Sequence, residues 1–483
     1  MMGYSTCALS LLIGSITLSA MGAELVAPNH VTSVSSKASI YTDQPCAFGS
    51  IPTKLSLQET IERILCNDPK TRSAWAHAKA QAAQIGVSRS LYFPKLTGSS
   101  GVSTGRTVTD YEQRSELSSE GNQRQVSNRL HFSWVLFDFG HRDAELRRSM
   151  QLLVAANANQ DDVLQKSFAS AAELYYRALA AQRSLITSSK VTSFAAENLD
   201  AAEAKYRSGA AALSDLLQAK AAYSLASLNQ IRDQGALRNA TGMLAMRMGL
   251  SPETAFGLEG NLTTLPDTRF IKTIDELFQQ AQQDHPALIA ARARIKATEA
   301  KLDENRAAGK PTLSLTANIS HTRIDQSQML NGNRRDRDRA VGLQLDIPLF
   351  DGFSRKYQIR SDLARLEASK QELLEEQLRL SLDLWENYQT LSNELQRLNH
   401  TNKLITQSQQ SLEVVQGRYR SGVGSMIELL SALNTYAGAE AQHINALDAW
   451  HTARLRLSEN LGLLGFWRLH QRSTTDHKQG TSQ

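Results

Sequence analysis

The sequence predicts a mixed α/β membrane protein made of one structural unit repeated twice, each copy carrying two β-strands and a long helical hairpin. Three observations predict it. A motif recurs at a fixed offset: Lys205-Tyr206-Arg207-Ser208-Gly209 followed by Asp215-Leu216-Leu217 and Tyr223, then Arg418-Tyr419-Arg420-Ser421-Gly422 followed by Glu428-Leu429-Leu430 and Tyr436, with 419 − 206 = 213. Four segments of about ten residues alternate apolar and polar side chains. Two stretches of roughly 68 residues lack proline and carry helical periodicity.

The first residues stand apart. Ala8 to Leu18 is apolar and is followed by Ser19-Ala20-Met21-Gly22-Ala23, which reads as a secretory signal peptide over 1–23. The apolar run is too short for a membrane anchor, and Cys7 lies too early to be a lipid-attached cysteine. Residues 24–52 are rich in Ser, Thr and Pro, an extended leader. Export to an oxidising compartment leaves Cys46 and Cys66 in the mature chain. Such an isolated pair most simply forms one disulfide, two free thiols being the alternative.

From Leu55 a helical pattern starts, with Ser56 and Glu59 forming a capping box, and Asn67-Asp68-Pro69 interrupts it. The partner of this region breaks at Asp284-His285-Pro286, where 286 − 69 = 217, and Pro94 and Pro311 keep the same offset. The duplication therefore spans nearly all of the mature chain: 53–249, a connector at 250–272, 273–463, and a tail at 464–483.

After Pro311 the period becomes two. Leu313, Leu315, Ala317 and Ile319 alternate with polar residues, and the returning segment places Val341, Leu343, Leu345, Ile347 and Leu349 on one face. In the first half Leu130, Phe132, Trp134 and Leu136 do the same, paired with a weaker Gly/Ser-rich strand at 96–104. Polar loops at 110–124 and 324–339 join the strands of each pair. Phe132, Trp134, Val341, Leu343, Leu345 and Ile347 are the expected lipid-facing side chains.

The long helices follow. Asp138-Phe139-Gly140 spells a kinase metal-binding triplet, but no glycine loop or catalytic-loop partner accompanies it, so the match is chance. Leu384, Leu391, Leu398, Ile405, Leu412 and Tyr419 fall at seven-residue spacing, the seam of a coiled coil. At Gly209 and Gly422 the helices stop at a residue suited to a left-handed turn, and helices of about 38 residues return.

Four antiparallel strands cannot close a barrel alone, and open edges cannot face lipid. Three chains sharing one barrel supply 12 strands and bring their hairpins together as a helical tube. Function classes narrow accordingly. A net charge of +5 with acids and bases interleaved does not suit a nucleic-acid partner. The 11 histidines are scattered, and no phosphate-binding loop, metal-spaced cluster or nucleophile elbow is present, so no enzyme, cofactor or metal is expected.

The duplicated plan, the paired Tyr-x-x-Gly…acid-Leu-Leu tips and the two Asn/Asp-x-Pro breaks resemble the TolC-type outer-membrane channel proteins over about residues 53–465. Arg63-Ile64-Leu65-Cys66-Asn67-Asp68-Pro69 and Arg72-Ser73-Ala74-Trp75, with Cys46 upstream, resemble the type I secretion members that export cyclolysin-type (RTX) toxins. The resemblance implies a non-enzymatic homotrimer with a 12-stranded barrel in the outer membrane of a Gram-negative cell and a helical tunnel through the periplasm. The partners it implies are a periplasmic adaptor, an inner-membrane ABC transporter and an exported polypeptide. Efflux of drugs or metals is the alternative cargo. A soluble coiled-coil adaptor is the alternative class, and the strands speak against it. By position, the resemblance places Glu428 in an acidic ring at the periplasmic entrance, Ser431 standing where a second acid is often found. Tyr419 stands as a latch tyrosine with Asp215 as its acceptor, while Gly424 occupies the latch-arginine position and leaves that role to Arg418 or Arg420. Gly209, Leu216, Leu217, Gly422, Leu429 and Leu430 form the tips that dock an adaptor. The local reading of Glu428 is a capping box with Ser425.

Overall fold

The computed structural model describes residues 48–110, 112–113, 118–260, 274–327 and 334–464. The signal peptide, most of the leader, Cys46, most of the connector and the tail lie outside the described residues. Cys66 is disulfide-bonded; the pairing with Cys46 therefore remains a proposal.

The chain runs twice through the same series. A two-residue strand β1 (Lys54–Leu55) leads into α1 (Leu57–Asn67) and α2 (Pro69–Ser90), then β2 (Lys95–Thr109), β3 (Ser119–Phe137), α3 (His141–Arg207) and α4 (Leu213–Arg247). The short β4 (Gly257–Leu258) precedes α5 (Ile274–Asp284), α6 (Pro286–Ala307), β5 (Thr312–Ser327), β6 (Arg334–Asp346), α7 (Ser354–Arg420) and α8 (Met426–Asn460). Equivalent helices have equal lengths: 11, 22, 67 and 35 residues in each half. Among the described residues no helix is long and apolar enough to cross a membrane.

The proline breaks separate helices by the same local chemistry. Asp68 caps α2, accepting from the Lys70 amide at 3.0 Å, and holds the Ser167 hydroxyl at 2.9 Å. In the second half His285 does the capping, its Nδ1 accepting from the Ala287 amide at 3.2 Å. That bond needs a neutral ring, and burial holds the His285 pKa below its ordinary value.

The four long strands form one antiparallel sheet in the order β2-β3-β5-β6, so the two halves join through β3 and β5. One face carries Leu96, Phe132, Trp134, Leu315, Ala317, Val341, Leu343 and Leu345; the other carries Thr97, Ser133, Thr316, Gly342 and Gln344. Three sequence expectations need correction. The strands are 15, 19, 16 and 13 residues long and extend into both stretches expected as loops. Ile347 lies beyond the end of β6, because Pro348 has no N–H to donate to a ladder. Leu136 falls at a bulge between Val135 and Phe137, which puts Phe137 beside Leu313 instead.

Both strand-to-helix turns use two consecutive left-handed residues, Phe139 and Gly140 in one half, Gly352 and Phe353 in the other. Each turn puts a non-glycine residue into a costly conformation, and an aspartate holds it there. The Asp138 carboxylate accepts from the Arg142 amide at 3.0 Å and pairs with its guanidinium at 2.8 Å. Asp351 pairs with Arg355 at 3.1 Å. Arg142 also donates to the Val135 carbonyl at 2.7 Å, tying the helix start to the bulge. The Asp-Phe-Gly triplet is thus a strand-to-helix corner.

The largest core lies midway along α3 and α7, where these helices with α1, α4 and α8 enclose Ile64, Phe168, Tyr175, Leu244, Leu398 and Trp450. The parallel β1–β4 pair contributes Leu55 and Leu258 to it. The Tyr175 hydroxyl donates to the Leu55 carbonyl at 2.9 Å, and its burial raises its pKa to about 12. The seven-residue seam is the face α7 turns inward: Leu384, Leu398, Leu412 and Tyr419 are buried.

Candidate functional site

Two regions carry the sequence-predicted residues: the free end of the helical hairpins and the apolar face of the sheet. At each tip the chain reverses through the same capping motif. The Ala210 amide donates to the Lys205 carbonyl at 2.8 Å, and the Val423 amide to the Arg418 carbonyl at 3.0 Å. Gly209 and Gly422 take φ of 74° and 84°, which an L side chain resists.

The two tips are built alike and packed differently. Tyr419 is buried at 4% exposure, whereas its counterpart Tyr206 is 40% exposed. Tyr436 is buried and donates to Glu440 at 3.0 Å, and desolvation, reinforced by that carboxylate, raises its pKa to about 12; Tyr223 is exposed. The second hairpin therefore presents its seam to the first, while α4 keeps Leu213, Leu217, Leu225, Leu228 and Ile231 exposed on its surface.

The latch expected between Tyr419 and Asp215 is not formed as a hydrogen bond. Among the described residues the buried Tyr419 hydroxyl has no hydrogen-bond partner, and Asp215 acts on it through charge, adding to the desolvation that raises its pKa. Other side chains join the hairpins near the tips. The Lys205 ammonium lies 3.9 Å from the centre of the Tyr419 ring and donates to the Tyr419 carbonyl. Arg420 pairs with Glu197 at 3.5 Å. Arg418 approaches Glu428 at 3.8 Å within its own hairpin. Gly424 cannot supply an arginine link in this packing: a Cβ there would lie 2.9 Å from the Tyr419 amide nitrogen.

The Glu428 carboxylate takes no part in the cap. Ser425 Oγ accepts from the Glu428 amide at 3.2 Å, so the cap uses the backbone of residue 428 and not its half-exposed side chain. The tip leucines divide. Leu216 and Leu429 are buried within one chain, Leu429 in a core with Leu412, Met426, Leu433 and Tyr436, so neither offers a surface for docking. Leu217 is 56% exposed and Leu430 half-buried. Sequence reasoning missed Val423 and Ile427, which are exposed at the same end.

On the sheet, Trp134, Val341, Leu343 and Leu345 are exposed and Phe132 is half-buried. Trp134 donates its indole N–H to the Tyr92 carbonyl at 2.9 Å, at the end of the sheet nearest the helices. At the same end His141, Glu145 and Glu304 bring one ligand atom each to within 4.8 Å of one another. Lys301 and Arg148 already hold Glu304, at 2.6 and 3.1 Å, which makes this a neutralised ion-pair network.

A sheet with one apolar and one polar face, carried on paired coiled-coil hairpins, has known relatives. The family model described as outer membrane efflux protein matches residues 60–250 and again 277–463. The chain belongs to the outer membrane efflux protein family. It is 32% identical to Protein CyaE of Bordetella pertussis over 87% of this chain and 86% of that one. It is 21% identical to the proteases secretion protein PrtF of Dickeya chrysanthemi, over 89% of this chain and 92% of that one. Among solved structures, the outer-membrane channel OprN superposes with a TM-score of 0.71 at 20% identity, covering 85% and 90% of the two chains. The fold is that of a helix-rich outer-membrane channel, and the protein resides in the Gram-negative outer membrane.

Proposed function

We propose that the protein is the outer-membrane exit duct of a tripartite type I secretion system. It would pass an unfolded polypeptide of the RTX-toxin kind from an inner-membrane ABC transporter and periplasmic adaptor to the outside. The observation that carries this reading is full-length similarity to a protein named for protease secretion, beside the closer similarity to CyaE. Efflux, the activity in the family's description, is the second reading, with drugs or metals as its cargo.

The working unit is a homotrimer. β2 and β6 are the two open edges of the sheet, and joining such edges between three chains closes a barrel of 12 strands. The polar face then lines the lumen and the apolar face meets lipid. The exposed stripes Leu225, Leu228 and Ile231 on α4, and Leu374, Leu378, Leu382 and Trp385 on α7, need partners of the same kind and are supplied with them by the neighbouring copies. Adaptor docking falls to the exposed tip residues Leu213, Leu217, Val423 and Ile427.

The secretion reading is tested in a Gram-negative strain lacking its own channel but retaining an ABC transporter, adaptor and RTX substrate. Expression of this chain should return the substrate to the medium. Restored drug resistance with no secreted substrate would favour efflux.

The gate is tested separately. Glu428→Gln keeps the Ser425 cap and removes one charge per chain from the entrance. It should lower cation selectivity and cation block of the purified trimer in a planar bilayer. Ser425→Ala removes the cap, at about 1 kcal/mol, and should leave both properties unchanged. Identical selectivity and block in Glu428→Gln and wild type would reduce Glu428 to a residue of the helix start.

A further inference from the structure

The end of the sheet away from the helices sorts its charges by face. On β6 the residues Arg335, Arg337 and Arg339 continue the face of Val341, Leu343 and Leu345, while Arg334, Asp336 and Asp338 lie on the other. The sorting extends to β5, where Arg323 pairs with Arg335, His321 with Arg337 and Ile319 with Arg339. Arg339 thus borders the apolar band, and the row climbs from it on the order of 13 Å. The inward carboxylates are engaged: Asp336 with Arg334 at 2.7 Å, Asp338 with the Ser320 hydroxyl at 3.1 Å. On the outward face Asp325 pairs with Arg323 at 3.0 Å. Arg335, Arg337 and Arg339 are exposed and form no ion pair among the described residues.

Like charges directly opposite on one face of an antiparallel pair repel. Arg323 beside Arg335, with Arg337 and Arg339 below, is therefore an arrangement that an anion stabilises. Arginine's fork of donors matches phosphate oxygens. The row adjoins the apolar band, so the anion it meets is the headgroup of a lipid whose chains lie against Val341, Leu343 and Leu345.

We infer that Arg335, Arg337 and Arg339, with Arg323 beside them, form a binding site for a phosphorylated glycolipid of the outer leaflet. The site is outward-facing and repeats once per chain. It rests on the proposed barrel, in which this face meets lipid. A row of this length spans more than one phosphate group, which favours a lipid carrying two.

The test is native mass spectrometry of the delipidated trimer titrated with bisphosphorylated lipid A, with enzymatically dephosphorylated lipid A, and with inorganic phosphate. The wild type should bind the phosphorylated lipid at least about ten-fold more tightly than the dephosphorylated form. The triple variant R335Q/R337Q/R339Q should lose that preference, and the inward Arg334→Gln should keep it. The comparison of two lipids on wild-type protein stands even if the triple variant assembles poorly. Equal affinity for both lipids, a preference retained by the triple variant, or displacement of the lipid by an equal concentration of inorganic phosphate each overturns the inference. An intact trimer without the preference sinks this site alone, whereas a chain recovered only as a water-soluble monomer sinks the barrel reading with it.

Discussion

Leu345→Arg should sharply reduce the amount of trimer recovered from the outer membrane. Leu345 is 58% exposed on the apolar face of the sheet, opposite Leu313, within the exposed apolar stretch that runs from Val341 past the end of β6 to Leu349. An arginine at that depth costs about 2–4 kcal/mol on the lipid face of a barrel, and the cost is incurred once per chain. Gln344→Arg changes the adjacent residue, whose side chain belongs to the polar face. It should assemble normally. Equal trimer yields for Leu345→Arg and wild type would contradict the assignment of faces.

Leu429→Ala should destabilise the closed end of the hairpins by about 2–5 kcal/mol. Leu429 is fully buried against Met426, Leu433, Tyr436 and the first hairpin, where truncation leaves a cavity. Leu217→Ala, at an exposed leucine of the same motif, should leave thermal stability within about 0.5 kcal/mol of wild type and instead weaken binding of the adaptor. The two effects separate in thermal unfolding of the purified channel and in adaptor pull-down. Parallel losses of stability in both variants would refute the division of the tip into core and docking residues.

That division shows where sequence reading stopped. Adjacent residues on a helix point about 100° apart, so a Leu-Leu pair puts one side chain inward and one outward. The motif identifies the pair but not which member is buried; contact with the other hairpin decides it. The missing arginine at the tip is similar: Gly424 packs against the Arg418–Tyr419 backbone, where a Cβ would lie 2.9 Å from the Tyr419 nitrogen, a contact between residues whose spacing looks ordinary. Lys205 and Glu197, which join the hairpins instead, lie on a helix whose periodicity says nothing about partners 200 residues away.

The strands were legible where one face is apolar. Leu313 to Ile319 and Val341 to Leu345 alternate because lipid or core demands it. The distal halves of the strands, such as Gly121 to Ser127 in β3 and His321 to Ser327 in β5, are polar on both faces apart from Val126 and Ile324. Nothing in their side chains distinguishes them from loop, and backbone pairing alone continues the ladder. The helices were legible almost to their ends, because proline is absent and glycine marks the tips.

The claim on which everything else depends is that one chain supplies one third of a shared duct. The direct measurement is the mass of the particle extracted from the outer membrane, taken by native mass spectrometry before and after covalent cross-linking. Three copies of the mature chain, with cross-links joining β2 of one copy to β6 of the next, is the predicted result. A particle holding a single chain, or one in which β2 and β6 cross-link only within a chain, would contradict it.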